Sequence, residues 1–128
     1  MPKFLSQEWL DTVKELAQEF PERPGATARM QYVVTGAPEG DVKYYQVIDD
    51  GKMLESQLGE VSDADFTLTQ AYEDSVKIQK GTLDANAAFM QGKIQVAGNT
   101  GKLMSLIPLT QSPEYKAIQG KVNDVTEY

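Results

Sequence analysis

Ala88-Phe89-Met90-Gln91-Gly92-Lys93-Ile94-Gln95-Val96-Ala97-Gly98-Asn99 is the stretch around which the rest of the chain is organised. It lies inside a longer segment, Asp63 to Leu109, of short apolar elements jointed by glycines. Upstream, Phe66 and Leu68 alternate with Asp65, Thr67 and Thr69, which predicts a strand from Asp65 to Thr69. Gln70 to Lys80 predicts a helix that Thr69 caps, with Tyr72 and Val76 facing inward. Gly81 stops it, because glycine takes the left-handed conformation without a Cβ penalty. Asp84 caps a short helix from Ala85 to Gln91, which Gly92 ends. Lys93 to Ala97 predicts a further strand, and Asn99 to Ile107 a helix that Pro108 is expected to break. Periodicity leaves two readings of these apolar side chains open. They form a plain core, or they wall a cavity for an apolar ligand.

Working outward, Ser6 to Phe20 predicts a helix with Leu5, Trp9, Val13, Leu16 and Phe20 on one stripe. Pro21 ends it. Three strands are predicted next. Ala26 to Thr35 carries Ala28, Met30, Tyr32 and Val34 on one face, and Val42 to Asp49 carries Val42, Tyr44, Gln46 and Ile48. Asp50-Gly51 is a two-residue hairpin signal, since the favoured turn wants positive φ at both centres. Met53 to Leu58 is expected to put Leu54 and Leu58 on one face and Met53, Glu55 and Gln57 on the other, in an antiparallel meander with one face dry and one mostly wet. At the other end, Ser112-Pro113-Glu114 starts a helix that runs to about Val122. Beyond Asn123 the tail is expected to fray. The sum is an α+β fold with a mostly antiparallel sheet of about five strands, covered by about five helices.

The 128 residues are read as one domain, 1–128. With 41% apolar residues the chain is able to bury a core. The formal net charge of −7 argues against nucleic acid, whose phosphates need a basic face, and against docking on anionic membranes. No apolar run approaches a membrane span and no signal core is visible, so integral membrane association is not expected and the expected location is cytoplasmic.

The absences narrow the chemistry further. With no cysteine and no histidine, the chain lacks thiol nucleophiles, thiolate metal sites, the commonest general base and the commonest zinc ligand. Asp50 is explained by its turn, Asp63 and Asp65 border a strand, and Glu73-Asp74 suit a helix start. Gly92, Gly98 and Gly101 match neither the nucleotide nor the dinucleotide loop spacing. No metal, no cofactor and no catalytic residue is expected.

Gly81-Thr82-Leu83-Asp84, then Ala88-Phe89-Met90-Gln91-Gly92-Lys93-Ile94, Val96, Gly98-Asn99, Gly101, Met104 and Leu106, closely resemble the sterol carrier protein type 2 family of lipid-transfer domains. The resemblance extends more loosely over the opening helix and the strands, and so over essentially the whole chain. It implies that the helices and sheet enclose an apolar tunnel. It also implies a non-catalytic binder and carrier of a fatty acid, fatty acyl-CoA, phospholipid or sterol-like ligand.

Carried over by position, Phe89, Met90, Gln91, Ile94, Leu103, Met104 and Ile107 are expected to line or border the tunnel, with Gln91 as the polar contact. Trp9, Tyr32 and Phe66 are added from their helix and strand faces. The chain departs from the animal carriers in its acidity and in lacking their peroxisomal C-terminus, which suggests a free-standing microbial member that prefers an acyl chain to sterol. The last helix is the expected lid, because the tail after it looks untied. The alternative reading is an accessory subunit that joins a protein partner handling hydrophobic or aromatic metabolites.

Overall fold

The computed structural model describes all residues from 1 to 128. Helix α1 (Gln7–Leu16) passes through one turn of 3-10 helix (Ala17–Glu19) into β1 (Ala28–Thr35), β2 (Val42–Asp49) and β3 (Lys52–Leu58). Then come β4 (Phe66–Ala71), α2 (Tyr72–Gln79), α3 (Ala85–Met90), β5 (Ile94–Gly98), α4 (Thr100–Thr110) and α5 (Pro113–Asp124). The strands form one sheet in the order β3-β2-β1-β4-β5. β1 and β4 run parallel, with Met30 opposite Phe66 and Val34 opposite Gln70. The other neighbours are antiparallel, so the expected α+β architecture holds.

The turn between β2 and β3 forms as its sequence demands, with φ of 48° at Asp50 and 87° at Gly51. A Cβ on Gly51 would stand 2.9 Å from both the Arg23 nitrogen and the Pro21 carbonyl oxygen, so the site also needs glycine for space. The next strand departs from strict alternation. Val47 pairs with Glu55 and Ile48 with Met53, which leaves Leu54 as an extra residue at a bulge. The bulge corrects the expected facing of β3. Met53 is buried and Leu54 is 51% exposed, while Ser56 is fully buried.

α1 lies over β3 and closes that sheet edge with glutamines. Gln7 donates from Nε2 to the Ser56 carbonyl (3.2 Å) and accepts at Oε1 from the Leu58 N–H (2.9 Å). Trp9 and Leu10 are the buried residues of α1, and Leu10 is 0% exposed although it lies off the expected stripe. Leu5, one residue before the Ser6 cap, joins Leu10 in the same core cluster, an arrangement that fixes the angle of chain entry.

The tail does not fray, which corrects the sequence reading. Phe4 N–H donates to the Glu127 carbonyl (2.7 Å), and Glu127 N–H donates to that of Pro2 (2.8 Å). Trp9 Nε1 donates to Thr126 Oγ1 at 3.1 Å, a buried bond. α5 is therefore tied at its C-terminal end, and the untied tail that suggested a lid is absent.

Two corrections concern the second half. β4 runs to Ala71, because Gln70 and Ala71 pair with Val34 and Thr35 on β1; α2 starts two residues later than expected and its cap, Ala71, offers no side-chain bond. Pro108 lies inside α4, which continues to Thr110. The last turn holds because the Ile107 carbonyl accepts both the Thr110 hydroxyl (2.9 Å) and the Gln111 N–H (3.0 Å), and because Leu109 is 1% exposed. Gly98 ends β5 at φ 111°, where a Cβ would lie 2.7 Å from the Asp65 carbonyl oxygen.

Candidate functional site: an uncharged apolar cavity

The buried apolar side chains fall into two clusters rather than one. The first gathers Phe4, Trp9, Leu10, Phe20, Val34, Tyr44 and Met53 with Ile118 and Val122 of α5. The second gathers Met30, Ile48 and Phe66 with Leu106 and Leu109 of α4. Tyr32 and Tyr115 pack against both. A cavity of about 270 Å³ is lined by members of both clusters. That volume is near the lower end of ordinary small-molecule pockets, which begin at roughly 300 Å³. It exceeds the roughly 150 Å³ void that is known to hold benzene.

Of its 27 lining residues 20 are hydrophobic, and the rest are Gln46, Gln70, Ser75, Gln79, Asn86, Thr110 and Gln119. No Asp, Glu, Lys or Arg lines it. The chain also has no group of three acidic, histidine or cysteine side chains placed to hold a metal ion.

The expected site residues divide. Trp9, Tyr32, Phe89, Ile94, Leu103, Met104 and Ile107 all line the cavity. Met90, Gln91 and Phe66 do not. Met90 projects outward from the last position of α3 and is 85% exposed. Gln91, the expected polar contact, is the exposed C-cap of that helix. Six residues of helix are too few to turn both Phe89 and its two successors inward, and Phe89 takes that face. Phe66 is 1% exposed and belongs to the second cluster, beneath the helices. Phe89 and Met104 line the cavity while 44% and 63% exposed, so its rim meets solvent between α3 and α4.

Tyr32, which the sequence pointed to, and Tyr44 and Tyr115, which it did not, supply three of the seven aromatic side chains in the lining. Tyr32 stacks on Tyr44 with centroids 4.5 Å apart and planes 7° from parallel, and Phe20 stacks on Tyr115 at 5.3 Å. Burial pushes all three phenols up from the usual tyrosine range. Tyr32 is raised further by Tyr44 and Tyr115, and Tyr44 by Tyr115. The hydroxyls therefore stay neutral at any physiological pH.

Gln70 and Gln79 are two further lining residues that the sequence did not flag. Gln70 continues the inward set Phe66, Leu68 on β4, and Gln79 continues Ser75 and Ile78 on α2. Gln70 Oε1 and Gln79 Nε2 are both removed from solvent and hydrogen-bond to nothing in the protein. One further period of strand alternation would have found Gln70 from sequence.

Residues 12–111 match the family model described as the SCP-2 sterol transfer family. The chain belongs to the SCP-2 sterol transfer family. Within it, sterol carrier protein 2 of Rattus norvegicus is 39% identical over 51 residues, 40% of this chain but only 9% of the rat protein's length. The SCP-2 fold is equally plain from solved structures. A conserved hypothetical protein of Thermus thermophilus superposes with a TM-score of 0.73, covering 95% of this chain and 91% of that one at 17% identity. The palmitated SCP2L2 of Aedes aegypti gives a TM-score of 0.61, covering 84% and 92% at 20% identity. At such identities the shared property is the fold. No helix of this SCP-2 domain is long and apolar enough to cross a membrane.

Proposed function

We propose that the chain binds a hydrophobic ligand in the cavity between sheet and helices and carries it without chemical change. The observation that carries this reading is the split core. Members of two packed clusters together line about 270 Å³ of space whose wall is mostly apolar and wholly uncharged. A protein selected for stability alone would fill such a void, since unfilled volume costs about 24 cal/mol per Å³. The family supports the same reading, and so does the palmitated state of the Aedes aegypti relative. An acyl chain entering the cavity gains about 0.8 kcal/mol for each methylene it buries, less the cost of ordering it. A lining without acid, base or cysteine supports binding without turnover. The volume favours a medium-length chain over a sterol.

The test is native mass spectrometry of the purified protein for a retained lipid, with displacement of a fluorescent fatty acid in solution. Absence of any retained lipid together with no micromolar displacement would remove the proposal.

A second reading, an accessory subunit that offers an apolar surface to a protein partner, draws on Met90. It is 85% exposed next to the half-exposed Phe89. Met90→Asp separates the two, for it abolishes association with a partner and leaves ligand binding in the cavity unchanged.

A further inference from the structure

The sheet has two edges and guards only one of them. At the β3 edge, Gln7 engages the Ser56 carbonyl and the Leu58 N–H, and Gln18 Nε2 donates to the Met53 carbonyl at 3.4 Å. That edge is also bent by the bulge at Leu54 and carries Lys52 and Glu55. Bulges, charges and covering side chains are how proteins keep sheet edges from pairing with other chains. The β5 edge shows no such cover. Ile94-Gln95-Val96-Ala97-Gly98 contains no charged residue and no proline, and it pairs with β4 alone. The Asn99 N–H donates to the Asp65 carbonyl at 2.7 Å, in register with Ala97 opposite Thr67 and Gln95 opposite Thr69. Successive residues of an antiparallel ladder point their backbone groups to opposite sides. Gln95 and Ala97 therefore turn theirs to β4. Ile94, Val96 and Gly98 turn theirs outward, where no other strand or loop meets them.

Charge is distributed as unevenly. The chain holds 19 acidic residues, and none lies in the stretch 85–113, which contains α3, β5 and α4 and carries Lys93 and Lys102. Met90 and Met104, both exposed, belong to the same stretch. We propose that β5 is a self-pairing edge, through which two copies of this chain join antiparallel with Val96 of one opposite Val96 of the other. This register sets Ile94 opposite Gly98, and the outward groups of the three residues exchange about six hydrogen bonds. Gln95 lies opposite Ala97 and Lys93 opposite Asn99, so no like charges face each other across the join. The two sheets become one. The twofold axis is normal to it, so both cavity rims between α3 and α4 lie on the same side. Two chains of net charge −7 repel over most of their surface, and a face free of acids is where they meet at least cost. Self-pairing does not depend on an occupant in the cavity.

Sedimentation velocity on the whole chain, from about 5 to 500 μM, reads the join; an interface this small is expected to dissociate on the order of 100 μM. Two double variants test the register, at positions exposed in the single chain. Gln95→Glu/Ala97→Glu sets acid opposite acid and is expected to weaken dimerisation about fivefold. Gln95→Lys/Ala97→Glu sets opposite charges face to face and is expected to strengthen it about fivefold. Both are expected to keep the wild-type circular dichroism spectrum and melting temperature. The amide protons of Ile94, Val96 and Gly98 are expected to exchange with solvent more slowly in the dimer than in the monomer. A single monomeric boundary at the highest concentration, or equal association of the two variants, would overturn the proposal. A monomer that instead co-sediments with phosphatidylcholine vesicles would overturn it too, and would assign the acid-free face to a lipid surface.

Discussion

The side of the molecule under α1 and the side under α3 and α4 use the same kinds of residue to opposite ends. Under α1, Trp9 stands edge-on to Phe4 at 4.9 Å, its N–H bonds Thr126, and Leu10 is 0% exposed. Under α4, Leu103, Met104 and Ile107 are as apolar, yet they face a cavity and, in the case of Met104, solvent as well. Leu10 is packed and does not line the cavity, whereas Leu103, Met104 and Ile107 do, and Trp9 belongs both to the packed cluster and to the lining. Apolar composition does not distinguish the two. Gln70 and Gln79 line the cavity and each also carries a buried polar atom without a partner, while Arg23 Nε is a third such atom on a residue away from it.

The comparison is broken most easily by truncation. Leu10→Ala is expected to cost about 3 kcal/mol or more in urea unfolding, because a filled site becomes a void. Met104→Ala is expected to cost less than about 1 kcal/mol, because little packing is lost there. Equal losses would mean the two walls are not different. Met104→Trp sharpens the contrast. It is expected to reduce affinity for a fluorescent fatty acid at least about tenfold by filling the cavity, with the melting temperature nearly unchanged. Undiminished affinity in the folded variant would take Met104 out of the site.

Smaller effects follow from the polar atoms. Gln79→Leu removes an orphaned donor, so the ligand-free protein is expected to gain about 1 kcal/mol of stability. A loss would mean that Gln79 is satisfied in the folded protein. Tyr32, Tyr44 and Tyr115 are raised by burial, and Tyr128 is pushed up to about 12 by the same cause and by Tyr72. For a raised tyrosine the neutral form is the one the fold prefers. Its contribution is fully present below about pH 10 and is lost as pH rises from there through the folded value, since the unfolded chain ionises first. The melting temperature is expected to be flat between pH 7 and 9 and to drop above pH 10, with Tyr44→Phe reducing the slope. Ionisation of Tyr44 in the folded protein near pH 10 would show that water reaches the wall it shares with Tyr32.

What was legible in the sequence was what local chemistry decides. Ala28, Met30, Tyr32 and Val34 face inward because strand alternation requires it, and Asp50-Gly51 turns because no other conformation suits the pair. Leu54 was misread because a bulge is fixed by the register against β2, which no property of Leu54 announces. Gln70 and Ala71 were assigned to a helix because their pairing with β1 lies more than thirty residues away in the chain. Of the site, the apolar wall was readable from Phe89 to Ile107. Its polar lining was less so: Gln70 follows from one further period of strand alternation, whereas glutamine suggests surface and nothing local turns Gln79 inward. Gln91 was chosen for its motif, and a helix C-cap holds it in solvent.

The bonds between the two ends have a consequence for the order of events in folding. The meander β1 to β3 needs only neighbours in sequence. The parallel pairing of β1 with β4 must close a longer loop, and the bond from Trp9 to Thr126 spans 117 residues. On the cost of loop closure, the contacts of Thr126 and Glu127 are expected to form late. A chain that lacks them leaves the apolar residues of the first cluster less covered, so the exposure to aggregation is expected to be greatest in the interval before those contacts form.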